Sequence, residues 1–105
     1  MQLRNLLAAL ALTGFAASAA WAQDAAALNV RSLAANCAAC HGTDGRPAAG
    51  SSLAPLAGMP REAMVAHFKA FKDGSRPATV MHQLAKGYSD QQVEALATYF
   101  SNIKR

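Results

Sequence analysis

Cys37-Ala38-Ala39-Cys40-His41 is the stretch that decides how this chain folds. Two thiols three positions apart share one side of a helical turn, and each can add across one vinyl group of a haem to form a thioether. The imidazole of His41, beside the second tether, is then held under the iron as its proximal ligand. Other uses of C-x-x-C fit less well. A structural zinc site needs four ligands, usually with a second tight pair, and beyond the motif only His67 and His82 are at hand, too far apart to make one. A thioredoxin-like motif belongs near a βαβ pattern, and no strands alternate with helices here. A plain disulfide leaves His41 unexplained. The spacing therefore predicts one covalently bound haem c, tethered by Cys37 and Cys40, with His41 on its iron.

Toward the N-terminus the composition changes. Arg4 is followed by an apolar run from Leu6 to Ala17, and Ala20-Trp21-Ala22 places small residues where a signal peptidase cuts. Residues 1–22 are read as a cleaved signal peptide and 23–105 as a single haem-binding domain. Taking 22 from the 105 residues leaves 83. The apolar run is shorter than the about 20 residues a membrane-spanning helix needs, so the mature chain is expected to have no membrane span. Bacterial haem c is attached outside the cytoplasmic membrane, so export to the periplasm agrees with the motif. Eighty-three residues bury only a marginal core. A tethered haem acts as a large apolar staple, and folding is expected to be coupled to its insertion.

The formal charge is +4, and removing Arg4 from the ten basic residues leaves nine against six acidic ones, or +3. Two haem propionates bring that close to neutral. No dense basic run is present, so nucleic acid is not expected as a partner.

Downstream, the grammar is helical. Residues 24–40 contain neither Gly nor Pro and read as one helix with Asp24 as its N-cap, delivering the haem motif at its C-terminal end, with Gly42 as a stop signal. Ala34, Ala35 and Ala38 allow another helix to approach closely. Residues 43–58 carry Gly45, Pro47, Gly50, Pro55 and Gly58 and read as a long loop wrapping the proximal side of the haem. A backbone carbonyl near Pro55 is the expected acceptor for the His41 Nδ1 proton. Pro60 suits a helix start, and Met64, Phe68 and Phe71, with Val65 alongside, form an apolar stripe over 61–72 ended by Gly74. Residues 80–86 read as one or two helical turns stopped by Gly87. Ser89 and Gln92 spell a capping box, and Val93, Leu96, Ala97, Phe100 and Ile103 give the last helix one apolar face. Lys104 and Arg105 are expected at its negative dipole end.

A helix bearing C-x-x-C-H, a loop, a middle helix, a second loop and a capped last helix: this order resembles a class I cytochrome c across the mature chain. The fold implied is all-α, a small helical domain wrapped around one covalently attached haem, its first and last helices crossing. The resemblance narrows over Phe68-Lys69-Ala70-Phe71-Lys72-Asp73-Gly74-Ser75-Arg76, Ala78-Thr79-Val80-Met81-His82 and Ala85-Lys86-Gly87-Tyr88-Ser89-Asp90-Gln91-Gln92. That tail is similar to the cytochrome subunit of flavocytochrome c sulfide dehydrogenase and to small c553-type cytochromes, and related c4-type carriers share much of it.

The distal side of the iron has five candidates: Met59, Met64, His67, Met81 and His82. Met64 sits on an apolar stripe, where methionine usually fills the core. Met81 lies between the middle and last helices, and the family resemblance places the distal ligand there. His82 is its rival, because adjacent side chains cannot both face the iron. Tyr99 is a candidate for packing at a haem edge, although core filling alone would explain it. Lys69, Lys72, Arg76 and Lys86 flank the Met81 segment and could ring the haem edge with positive charge.

An iron held by both His41 and Met81 has no open position for substrate, and no Ser-His-Asp grouping, paired carboxylates or phosphate loop accompanies it. The chain is therefore expected to transfer electrons and not to act as an enzyme by itself. The resemblance implies an FAD-containing flavoprotein subunit as redox partner, in a sulfide-oxidising complex. The alternatives are a free periplasmic shuttle to a terminal oxidase and a haem-based sensor or peroxidase-like protein.

Overall fold

The apolar face of the last helix sets the packing. In the computed structural model, which describes residues 25–105, this helix runs Asp90–Ser101 and buries Val93, Leu96, Ala97 and Phe100. The signal peptide assigned to 1–22, the start of the domain at 23 and the Asp24 cap lie outside the described residues. Among these, every regular element is helical: α1 (25–35), α2 (Ala38–His41), α3 (Arg61–Asp73), α4 (Met81–Leu84) and α5 (Asp90–Ser101), with single 3-10 turns at Thr43–Gly45 and Ala85–Gly87. The fold is that of a class I cytochrome c.

The N-terminal helix is not continuous as the sequence suggests. Its hydrogen bonds tighten at Asn36 and Cys37, whose amides bond Leu33 O at 3.2 Å and Ala34 O at 3.1 Å, three residues back instead of four. Asparagine is a weak helix former, and the break lets α2 restart with Cys37 as its N-cap. The haem motif thus occupies a short helix of its own.

α5 begins as its sequence spells. Ser89 Oγ accepts from Gln92 N at 3.2 Å, and Gln92 Oε1 accepts from Ser89 N at 2.9 Å. It ends earlier than expected, at Asn102, so Lys104 and Arg105 lie beyond its last turn. Arg105 instead donates to Gly58 O at 3.3 Å, and Arg46 donates to Lys104 O. α3 follows Pro60 and stops at Gly74, whose φ of 80° is left-handed.

Ala34 of α1, Met64 of α3 and Leu96, Ala97 and Phe100 of α5 form one buried cluster. Ala97 is fully buried, and its small side chain lets the helices come close. Of the three alanines singled out in α1 and α2, only Ala34 enters this core. Phe100 and Leu96 each contribute about 1.5–3 kcal/mol by leaving water. Arg61 pairs with Glu94, and Lys72 donates to Asp90 Oδ1 at 3.1 Å and Tyr88 O at 2.7 Å, so α3 is tied to α5 and to the residue preceding its N-cap. The ion pairs are largely solvated and each is worth under about 1 kcal/mol.

Candidate haem site

His41 is oriented by a loop that the fold builds for it. Its Nδ1 lies 2.7 Å from Ala54 O, the carbonyl just before Pro55. A carbonyl only accepts, so Nδ1 carries the proton and Nε2 keeps its lone pair for a metal. Proline confines the residue before it to extended backbone, a constraint that singles out Ala54 in retrospect. The loop is pinned from beneath. Gly45 O accepts from Leu56 N at 2.9 Å and Ala57 N at 3.1 Å, and Gly45 itself is buried. A Cβ on Gly45 would stand 2.7 Å from Leu56 Cβ and 3.0 Å from Phe100 Cε1. Gly42, at φ 80°, is under the same pressure: a Cβ there would overlap Arg46 O at 1.9 Å.

The Cys37 thiol is half-buried beside the core, and burial pushes it above the usual thiol range, whereas Cys40 is exposed. Tyr88, packed edge-on against Phe68 with ring centres 5.8 Å apart, lies near enough to Cys37 that a thiolate there would hold the phenol proton more tightly.

The remaining sulfur and imidazole candidates separate. Met64 is 2% exposed, inside the core, and Met59 is half-buried against it. His67 sits on α3, where burial and the charge of Arg76 lower its pKa. Met81 and His82 are adjacent on α4 and both half-buried, between the exposed Val80 and Leu84 and the fully buried Ala85. The Nδ1 of His82 is buried without a hydrogen-bond partner.

These residues fit a haem. Leu53, next to the Ala54 carbonyl, and Val80 and Leu84, around Met81, are apolar yet open, as side chains flanking an apolar macrocycle should be. Among the described residues, no cluster of three His, Cys, Asp or Glu offers a different metal site.

Two expectations change. Tyr99 lies edge-on to Phe100 with its hydroxyl 3.2 Å from Asp44 Oδ1, and it lines a shallow groove with Ala26, Ala27 and Val30 of α1. It braces the α1–α5 side and the haem turn. The basic ring is also smaller than the sequence implies. Lys72 is half-buried and occupied by Asp90 and Tyr88, leaving Lys69, Arg76 and Lys86 as the exposed cations of the four, with the Arg76 guanidinium 4.9 Å over the Phe71 ring.

A helical shell carrying C-x-x-C-H on a short helix, with an imidazole whose Nε2 is free, defines a c-type cytochrome with one covalently bound haem c. Residues 24–100 match the family described as cytochrome C oxidase, cbb3-type, subunit III, and the chain belongs to this family of c-type cytochromes. It is 43% identical over 86 residues to the thiosulfate dehydrogenase electron acceptor of Thiomonas intermedia (strain K12), covering 80% of this chain and 39% of that one. It is 40% identical over 74 residues to the cytochrome subunit of sulfide dehydrogenase of Chlorobaculum tepidum, covering 70% of this chain and 64% of that protein. Cytochrome c-553 of Nitratidesulfovibrio vulgaris (strain Miyazaki F) is 35% identical over 102 residues, covering 94% of this chain and 92% of that cytochrome. A haem held here would supply one reversible one-electron couple at its iron. No described helix is long and apolar enough to cross a membrane.

Proposed function

We propose that Cys37 and Cys40 tether the haem, that His41 Nε2 and the Met81 sulfur bind its iron from opposite sides, and that the chain takes electrons in the periplasm from a dehydrogenase of inorganic sulfur compounds. In the fullest form of this reading it is the electron-accepting cytochrome subunit of a sulfide-oxidising flavocytochrome c. An FAD-bearing partner performs the sulfur chemistry, and this chain itself is not the catalyst. The observation that carries this reading is the Ala54 carbonyl, which leaves Nε2 of His41 as the free nitrogen; Met81 is assigned opposite it from the class I pattern, on a short helix whose neighbours Val80 and Leu84 are apolar and exposed. A thioether favours ferrous iron and raises the potential, as an acceptor requires. Support for the sulfur substrate comes from the likeness to the Thiomonas thiosulfate dehydrogenase electron acceptor and the Chlorobaculum cytochrome subunit of sulfide dehydrogenase.

A second reading, a free shuttle toward a terminal oxidase, is favoured by the near end-to-end match with cytochrome c-553. Purification of the native protein under mild conditions separates the two. The subunit reading expects a flavin-containing polypeptide in fixed ratio, and a visible spectrum that turns to the reduced form when sulfide is added. A cytochrome that elutes alone and ignores sulfide overturns it in favour of the shuttle. Ready binding of carbon monoxide by the wild-type protein would overturn both.

A further inference from the structure

Asp44 is the only described non-glycine residue with positive φ, at 55°. Aspartate tolerates this left-handed conformation better than most residues, but it still needs its neighbours to hold it there. Its carboxylate accepts from the Tyr99 hydroxyl at 3.2 Å and lies 3.9 Å from Arg46 Nη1. The next residue is Gly45, whose carbonyl holds the amides of Leu56 and Ala57 and whose α-carbon lies under Phe100. The strand of contacts is continuous: Tyr99 and Phe100 on α5 hold the Asp44-Gly45 turn, the turn holds Leu56 and Ala57, and two residues earlier the Ala54 carbonyl meets His41 Nδ1.

From this arrangement we infer that Tyr99 and Asp44 are positioning residues for His41: their hydrogen bond fixes the turn that aims the Ala54 carbonyl at Nδ1, and so sets how strongly His41 donates to iron. The inference rests on the reading of His41 as the proximal ligand. A partner that accepts the Nδ1 proton makes the other nitrogen a stronger base, and a stronger donor favours ferric iron. Loosening the brace therefore raises the reduction potential. Burial and the Asp44 carboxylate both push the Tyr99 phenol above its usual range, so it stays a donor throughout the neutral region.

The test uses the haem-loaded protein and two readouts, the midpoint potential and the solvent-exchange rate of the His41 Nδ1 proton followed by NMR in the diamagnetic reduced state. Tyr99→Phe removes the donor. Asp44→Gly removes the acceptor and keeps a backbone that accepts φ 55°. Each should raise the potential and speed exchange several-fold, and the double variant should do no more than either single one. Asp44→Asn retains an acceptor oxygen and should stay close to wild type. Variants that lower only the unfolding temperature, with potential and exchange unmoved, overturn the brace. A wild-type protein whose exchange-protected imidazole proton does not belong to His41 overturns the ligand reading instead, so the two failures are distinct.

Discussion

Replacing Gly45 by Ala tests the pin beneath the haem loop most directly. Two costs can be separated. The φ of 72° would place an L-residue in the left-handed region, at about 1–2 kcal/mol. The new methyl would also stand 2.7 Å from Leu56 Cβ, 2.8 Å from Ala57 N and 3.0 Å from Phe100 Cε1. None of these is the free end of a flexible chain, and forced overpacking of this kind adds about 1–3 kcal/mol. The sum, roughly 2–5 kcal/mol, is a large share of the about 5–15 kcal/mol that holds a small domain together. Gly50→Ala is the matched control. Its φ is 82°, but a Cβ there has nothing within 4 Å, so only the backbone cost applies. Urea unfolding of the haem-loaded proteins, followed by far-UV circular dichroism, should place Gly45→Ala about 1–3 kcal/mol below Gly50→Ala. With a urea slope of about 1–2 kcal/mol/M, that difference is a midpoint roughly 1 M lower. Equal midpoints would refute the claim that Gly45 is there for want of space.

Four further outcomes are expected. Met81→Ala should abolish the weak sulfur-to-iron absorption band of the ferric protein, lower the potential and open the reduced protein to carbon monoxide, while Met64→Leu leaves the band in place. His82→Leu removes a buried nitrogen without a partner, so stability should hold or rise by up to about 1 kcal/mol with the band intact; a wild-type ferric protein that lacks the band, and that binds carbon monoxide only once His82 is replaced, would show that His82 is the ligand. Tyr88 and Tyr99 have phenols raised mainly by burial. Their neutral forms are favoured in the fold, so that contribution is full below the ordinary phenol range and is lost as pH rises through the raised values. An alkaline absorbance titration should show both ionising late, and Tyr99→Phe should remove one of them. Acid-acetone extraction should leave the haem on the protein, because thioethers survive where coordination bonds do not; colour in the acetone layer would dispose of the roles given to Cys37 and Cys40.

The parts of this molecule that are written locally were legible in the sequence. Ser89 and Gln92 cap α5 by bonds between near neighbours, Gly74 ends α3 through its own backbone freedom, and Met64 is in the core because the helical period puts it there. The acceptor for His41 was legible to within one residue, since Pro55 restricts only its neighbour. What escaped depends on elements distant in sequence. Lys72 looks like free surface charge until α5 brings Asp90 to it. Tyr99 looks like a haem-edge aromatic until the turn at Asp44, 55 residues earlier, meets its hydroxyl. The break at Asn36 and Cys37 was missed because a run of alanines reads as unbroken helix, whatever geometry the motif after it imposes.

The clasp between the haem loop and the far end of the chain has a consequence for the order of synthesis. Arg46 finds its carbonyl 58 residues later, at Lys104, and Gly58 is held by Phe100 and by Arg105, 47 residues on. A chain made from its N-terminus presents Cys37, Cys40 and His41 long before those partners exist. The pocket wall therefore cannot shut early, because closing so long a loop needs contacts that have yet to be made. Until residues 100–105 have been made, the loop that carries Gly45 and Ala54 lacks the contacts that hold its two ends, and Cys37 and Cys40 precede a wall that is not yet fastened.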